Sequence, residues 1–234
     1  MKVIILAGGL GSRISEETED KPKPMVLIDD KPILWHVMNI YAKQGFTDFI
    51  IATGYKNEVI DKWVKGKLDS SWNVKAQFTG LTTQTAGRIK QCFSILKDSR
   101  VMVTYGDGLG NVNLKNLIMQ HEDKDRLATV TAVRPPARFG VLESEEGIVT
   151  HFGEKNQTDA GWINGGFFVL ERAILDFIDT DVQTFEGNIM PTIVNNRQLA
   201  SYHHHGFWQP MDTLREKHEL SRLAEDSNPP WLSF

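Results

Sequence analysis

The feature that most constrains this chain is its first 25 residues. There the apolar run Val3–Leu6 meets Gly8, Gly9 and Gly11, with Arg13 and Lys23 following. An uninterrupted apolar run of this length reads as a strand buried on both faces. Glycines directly behind it allow close backbone approach and positive φ, the makings of a loop that wraps a polyphosphate with N–H groups. The two cations would offset phosphate charge. Two common phosphate loops are excluded. A dinucleotide fingerprint needs G-x-G-x-x-G, but Gly9 and Gly11 are followed by Ile14 where the third glycine belongs, and no Gly-Lys-Ser/Thr closes a Walker loop. On its glycines alone the segment is equally an ordinary strand-to-helix turn; Arg13 and Lys23 favour the cradle.

Beyond this point strand-like and helix-like patterns alternate, which predicts an α/β fold with a largely parallel sheet covered on both faces. Helical spacing predicts helices over 32–45, 58–67, 85–96, 114–121 and 214–224, with shorter ones at 174–178 and 189–195. Strands are expected at 49–53, 74–78, 101–105 and 127–133. After Pro135-Pro136 shorter strands follow, at 141–143, 148–152, 162–170 and 200–203. A single domain over 1–234 is expected, with a nucleotide-binding half over 1–133 and a substrate-binding half over 134–234. A net charge of −4 argues against nucleic acid as a partner. The one cysteine, Cys92, rules out an intramolecular disulfide and suits a reducing cytoplasm. No apolar stretch approaches the ~20 residues of a membrane helix, and the N-terminus lacks a signal-peptide layout.

The candidate chemistry lies in the loops. Asp107, between Gly106 and Gly108, follows an apolar strand, and ligands of open α/β sheets bind beyond the carboxyl ends of strands. An uncrowded carboxylate there suits Mg²⁺, which takes one or two carboxylates plus phosphate oxygens and water; an Asx-turn aspartate is the plain alternative. A second carboxylate is available at Asp212, in Gly206-Phe207-Trp208-Gln209-Pro210-Met211-Asp212-Thr213, although taken alone it reads better as an N-cap for the last helix. Glu154-Lys155 could bring a cation to a second phosphate, or form a solvated turn. Asn164-Gly165-Gly166 could offer an amide and bare backbone to a ligand, or form a β-bulge. His203, His204 and His205 make a poor metal cage, because neighbouring strand residues point to opposite faces.

Together these segments resemble the sugar-1-phosphate nucleotidylyltransferases nearly end to end. The resemblance runs through Ile4 to Arg13, Lys21-Pro22-Lys23-Pro24-Met25, Lys31 to His36, Thr104 to Gly108, Arg138-Phe139-Gly140, Ile163 to Leu170 and Gly206 to Arg215. Trp35-His36 and the Phe207–Thr213 run resemble the branch that acts on glucose 1-phosphate with CTP. This resemblance implies a three-layer α/β/α, Rossmann-like nucleotide-diphospho-sugar transferase fold with a mixed, mostly parallel central sheet. It implies an enzyme in which a sugar 1-phosphate attacks the α-phosphorus of an NTP. Catalytic roles fall on Arg13, Lys23, Asp107 and Asp212, with Mg²⁺ on the two aspartates. Leu6, Ala7, Gly8, Gly9, Leu10, Gly11, Ser12, Thr82, Gly87 and Gly106 would line the nucleotide site, and Glu154, Lys155, Asn164 and Gly165 the sugar-phosphate site. The implied partners are CTP and glucose 1-phosphate and, as a further copy, the chain itself in a homo-oligomer. The implied product is CDP-glucose, in the cytoplasm, for lipopolysaccharide O-antigen sugars.

Three departures from the family pattern stand out. The family's longer excursion between the equivalents of Trp72 and Thr79 is missing. Its Asp-Thr-Gly and Thr-Gly-Gly become Phe78-Thr79-Gly80 and Thr85-Ala86-Gly87, so that Ala86 is expected to add a methyl group near the base. Its Glu-Lys-Pro becomes Glu154-Lys155-Asn156. These leave open another base (UTP or dTTP) or another phosphorylated acceptor. A catalytically silent subunit of the same fold is a third reading, disfavoured because Arg13, Lys23, Asp107 and Asp212 are all present.

Overall fold

A computed structural model describes residues 1–11, 14–66, 68–135, 140–145, 148–154 and 161–234, with backbone alone over 140–145 and 151–154. In chain order the elements are β1 (Val3–Ala7), α1 (Ser15–Thr18), β2 (Leu27–Ile28), β3 (Lys31–Pro32), α2 (Ile33–Ala42), β4 (Asp48–Thr53) and α3 (Asn57–Val64). Next come β5 (Asn73–Phe78), α4 (Thr85–Ser94), β6 (Arg100–Tyr105), β7 (Gly108–Gly110), α5 (Leu114–Lys124), β8 (Ala128–Val133), β9 (Gly140–Glu145) and β10 (Ile148–Glu154). The chain ends with β11 (Ile163–Glu171), α6 (Met190–Asn195), β12 (Leu199–His203), β13 (Trp208–Pro210) and α7 (Leu214–Ala224).

Seven strands form the central sheet in the order β12-β8-β11-β6-β1-β4-β5. β1 runs parallel to β4 and β6, β4 parallel to β5, and β12 parallel to β8. β11 is antiparallel to both neighbours, so the sheet is mixed and mostly parallel. The two sequence halves share this sheet, because β11 from the second lies between β6 and β8 of the first.

Alternation along β1 explains its continuous apolar run. Val3, Ile5 and Ala7 face one core layer with α2, Leu220 and Trp231. Ile4 and Leu6 face the other with Ile89 and Phe93 of α4 and Phe168 of β11. A strand covered on both faces has no polar positions to spare. With β1 central and parallel to its neighbours, the loops after β1, β4, β5 and β6 all emerge at one sheet edge. The cavity opens there.

Candidate active site

A cavity of about 980 Å³ lies at that edge, lined by the Leu6–Gly11 loop, the turn after β5, the ends of β6 and β8, the start of β11 and the β13 segment. Its glycine loop is shaped from beneath. Arg88, on α4 and buried, donates to the Gly8 carbonyl at 3.1 Å, to the Thr53 carbonyl at 2.9 Å and to Thr79 Oγ1 at 2.6 Å. A side chain at Gly8 would overlap this guanidinium, so glycine is required for close approach. Gly11 has φ of +66°, and a Cβ there would lie 2.9 Å from Lys23 Cβ. Gly9 and Leu10 stay exposed on the cavity side.

Lys23 opens a single 3₁₀ turn, Lys23–Met25, beneath this loop. Its Nζ donates to Asp107 Oδ2 and Asp212 Oδ1, each at 2.7 Å, and only 8% of the residue is exposed. Burial alone would pull the ammonium below its usual value; the Asp107 and Asp212 carboxylates outweigh it and hold the lysine above the ordinary range.

A small hairpin-like pairing brings the two aspartates together across about a hundred residues of chain. β7 and β13 run antiparallel, with Gly108 opposite Pro210 and Gly110 opposite Trp208, and the Met211 amide donates to the Asp107 carbonyl at 2.9 Å. Asp212 is not the N-cap of α7. Thr213 fills that position in a reciprocal capping box with Glu216, whose carboxylate also accepts from the Asp212 amide at 2.7 Å. The Asp212 carboxylate thus takes no part in the helix cap and accepts from Lys23.

The ammonium marks a cation position between two carboxylates, whose bound oxygens lie at most twice 2.7 Å apart. The same oxygens fit a hard divalent ion that draws its remaining ligands from phosphate and water. Among the described residues no third His, Cys, Asp or Glu joins them.

The expected site residues divide clearly. Leu6, Ala7, Gly8, Gly9, Leu10, Gly11, Lys23, Gly106, Asp107, Asn164, Gly165 and Asp212 line the cavity. Thr82 is exposed outside it, and Thr83 takes the lining position instead. Gly87 faces away: a Cβ there would meet the Asp181 backbone at 2.7 Å, so this glycine serves close packing of α4 on the 181–185 segment. The methyl group of Ala86 points into the core beside Ile89 and Phe93, not toward the base region as the sequence suggested. The exchange of glycine for alanine there is a core change. Ser12, Arg13, Arg138, Phe139, Lys155 and Asn156 lie outside the described residues; Glu154 is placed by its backbone only, opposite Gly140 in the β9·β10 pair.

Asn164 combines both of its readings. It sits at a register shift of β11, where its Oδ1 accepts from the Gly166 amide at 2.8 Å, and it also lines the cavity. The histidines part company: His204 is buried with Nε2 3.1 Å from the Phe207 carbonyl, whereas His203 and His205 meet the ring of Trp162.

Sequence reading missed Arg88, Tyr105, Glu186 and Trp208. Trp208 Nε1 donates to the Gly165 carbonyl at 2.8 Å, tying β13 to the β11 wall. Tyr105 donates to Glu186, which also accepts from Thr85 Oγ1 at 2.7 Å. A signal existed for Tyr105, which immediately precedes Gly106-Asp107; an isolated Arg or Glu on a helical segment carries none.

Comparison with known proteins agrees with this geometry. Residues 2–224 match the family described as Nucleotidyl transferase. The chain is 43% identical to the glucose-1-phosphate cytidylyltransferase of Salmonella typhi, with all of both chains covered. It is 32% identical to the mannose-1-phosphate guanyltransferase of Schizosaccharomyces pombe, covering 92% of this chain and 62% of that one. The crystal structure of HddC from Yersinia pseudotuberculosis complexed with GMP-PN superposes with a TM-score of 0.73 at 25% identity, covering 94% of this chain and 98% of that one. The chain is a member of the nucleotidyl transferase family.

Proposed function

We propose that this protein transfers a cytidylyl group from CTP to α-D-glucose 1-phosphate, giving CDP-glucose and pyrophosphate. The observation that carries the reading is the convergence of Asp107 and Asp212 on Lys23 at the foot of the glycine loop. The choice of CTP and glucose 1-phosphate is supported by the full-length likeness to the Salmonella enzyme.

In this reading a phosphate oxygen of the sugar phosphate attacks the α-phosphorus of CTP. The bond from that phosphorus to the bridging oxygen breaks, and pyrophosphate leaves with the electron pair. No covalent enzyme intermediate is required, so catalysis is positioning plus charge neutralisation. Asp107 and Asp212 would hold Mg²⁺, which when bound supplies neutralising charge to the phosphate oxygens. Lys23 stabilises charge at the reacting phosphorus. Arg13 grips the β- and γ-phosphates. Ala7 to Ser12 wrap the nucleotide with backbone N–H groups. Lys155 anchors the sugar phosphate, and Glu154, Asn164 and Gly165 read its hydroxyls.

A second reading keeps the chemistry and changes the base or acceptor. Phe78, exposed at the end of β5, favours it, because it stands where the family pattern is broken. One experiment separates the two: pyrophosphate release with Mg²⁺, each NTP and a panel of sugar 1-phosphates. CTP with glucose 1-phosphate is expected to give the highest kcat/KM. A higher value for another pair selects the second reading, and no release with any pair removes both.

A further inference from the structure

Three carboxylates line the cavity among the described residues, and two of them face Lys23. Glu186 is the third, and its partners are of a different kind. One oxygen accepts from the phenol of Tyr105 and the other from Thr85 Oγ1, both neutral hydroxyls. A carboxylate has about four acceptor positions, so roughly two remain on this exposed, cavity-lining group.

The surroundings hold it in place. Glu186 lies in the π-helical turn Phe185–Ile189, whose cap, Thr184, accepts from the Gly187 amide at 3.1 Å. The Phe185 amide donates to Thr85 Oγ1 at 2.7 Å, and the Phe185 ring is buried edge-on against Phe168. Tyr105 in turn receives Asn164 Nδ2 at 3.1 Å. Glu186, Tyr105 and Asn164 therefore form one hydrogen-bonded row that ends at the register shift of β11.

An anionic group on the wall of a cavity for phosphates repels them. It is suited to neutral donors held away from the phosphates, and vicinal hydroxyls are such donors. We propose that Glu186, held by Tyr105 and Thr85, is a specificity-determining residue that accepts hydrogen bonds from the sugar hydroxyls of the phosphorylated acceptor. This rests on the acceptor reading proposed above. Ribose hydroxyls of the nucleotide share the chemistry; continuity with Asn164 and the β11 wall assigns the acceptor.

The test is steady-state kinetics of Glu186→Ala and Glu186→Gln, with CTP and glucose 1-phosphate varied in turn. Monodeoxy glucose 1-phosphates and 2′-deoxy-CTP are run as alternative substrates, and circular dichroism reports folding. Glu186→Ala is expected to raise KM for glucose 1-phosphate about tenfold or more, with KM for CTP changed less than about twofold. At least one monodeoxy acceptor, handicapped with the wild type, should lose its handicap in Glu186→Ala. The near-isosteric Glu186→Gln should fall between the two. A rise in KM for CTP together with a lost handicap of 2′-deoxy-CTP would overturn the proposal in favour of ribose. Unchanged KM values in both folded variants would overturn it outright. Failure of the wild type to use glucose 1-phosphate with any NTP removes the underlying reading instead, and the proposal with it.

Discussion

Replacing Lys23 with methionine removes a cation that Asp107 and Asp212 share while keeping an unbranched side chain in its place. Cutting one partner out of a buried ion pair costs about 3–5 kcal/mol. The Lys23 side chain is 10% exposed, but those of Asp107 and Asp212 keep 30% and 21% of their surface in solvent, which screens the leftover repulsion. A stability loss below that range, about 2 kcal/mol, is therefore expected, or roughly 4–8 °C in Tm for a chain of this size. The catalytic loss is separate. Removing a preorganised charge from the transition state costs about 3–4 kcal/mol, a 10²–10³-fold fall in kcat. Mg²⁺ should tell the two apart. It should restore much of the variant's Tm by occupying the cation position, but not its kcat, because the lysine is also needed at the phosphorus. Thermal melts with and without Mg²⁺, beside pyrophosphate-release rates, measure both. A Lys23→Met protein with kcat within about threefold of wild type, or with a melt that Mg²⁺ leaves unmoved, would refute the reasoning.

Other perturbations follow from the same contacts. The Lys23 ammonium is held above the ordinary lysine value of 10.5. Its contribution to stability is thus fully present below that pH and lost as pH rises through the folded value, so the gap between wild type and Lys23→Met in urea melts should be flat from pH 7 to about 10 and shrink only above about 10.5. Arg88→Met removes three charged hydrogen bonds, to the Gly8 and Thr53 carbonyls and to Thr79 Oγ1, although Gly8 keeps the Tyr55 amide and Thr53 the Thr79 amide; about 2 kcal/mol of stability should be lost and KM for CTP should rise, which melts and kinetics can read together. Thr213→Ala removes the N-cap of α7 and should cost about 1 kcal/mol in a denaturant melt. Asp107→Asn should weaken Mn²⁺ binding in the presence of CTP, read by electron paramagnetic resonance, while leaving the fold intact by circular dichroism.

Much of the fold was legible because the relevant signals are local. β1 announces itself by a run with no polar residue, and α7 by helical spacing over 214–224. The order of strands is not a local property. Nothing in the pattern of β11 says that it inserts antiparallel between β6 and β8, and the placement of Asn164 depends on that insertion. β7 and β13 have three residues each, too few for any periodicity, yet they join Asp107 to Asp212. The ambiguity at Asp212 was resolvable in principle, since a capping box at Thr213 competes with an N-cap one residue earlier. Gly87 and Ala86 were misdirected for a related reason: a glycine beside a ligand and a glycine beside another backbone look identical in sequence. Arg88 was hidden because a helical arginine reads as a solvent-facing cation unless one knows that the β1 loop lies above it.

The central claim is a direct transfer of the nucleotidyl group between two phosphates bound at once. Its most direct test is the stereochemical course at phosphorus, with a single diastereomer of α-thio-CTP and glucose 1-phosphate as substrates. The account predicts CDP-glucose bearing sulfur with inverted configuration. Retention would contradict it by requiring a covalent enzyme intermediate, and absence of transfer to glucose 1-phosphate while CTP binds normally would contradict the assigned acceptor.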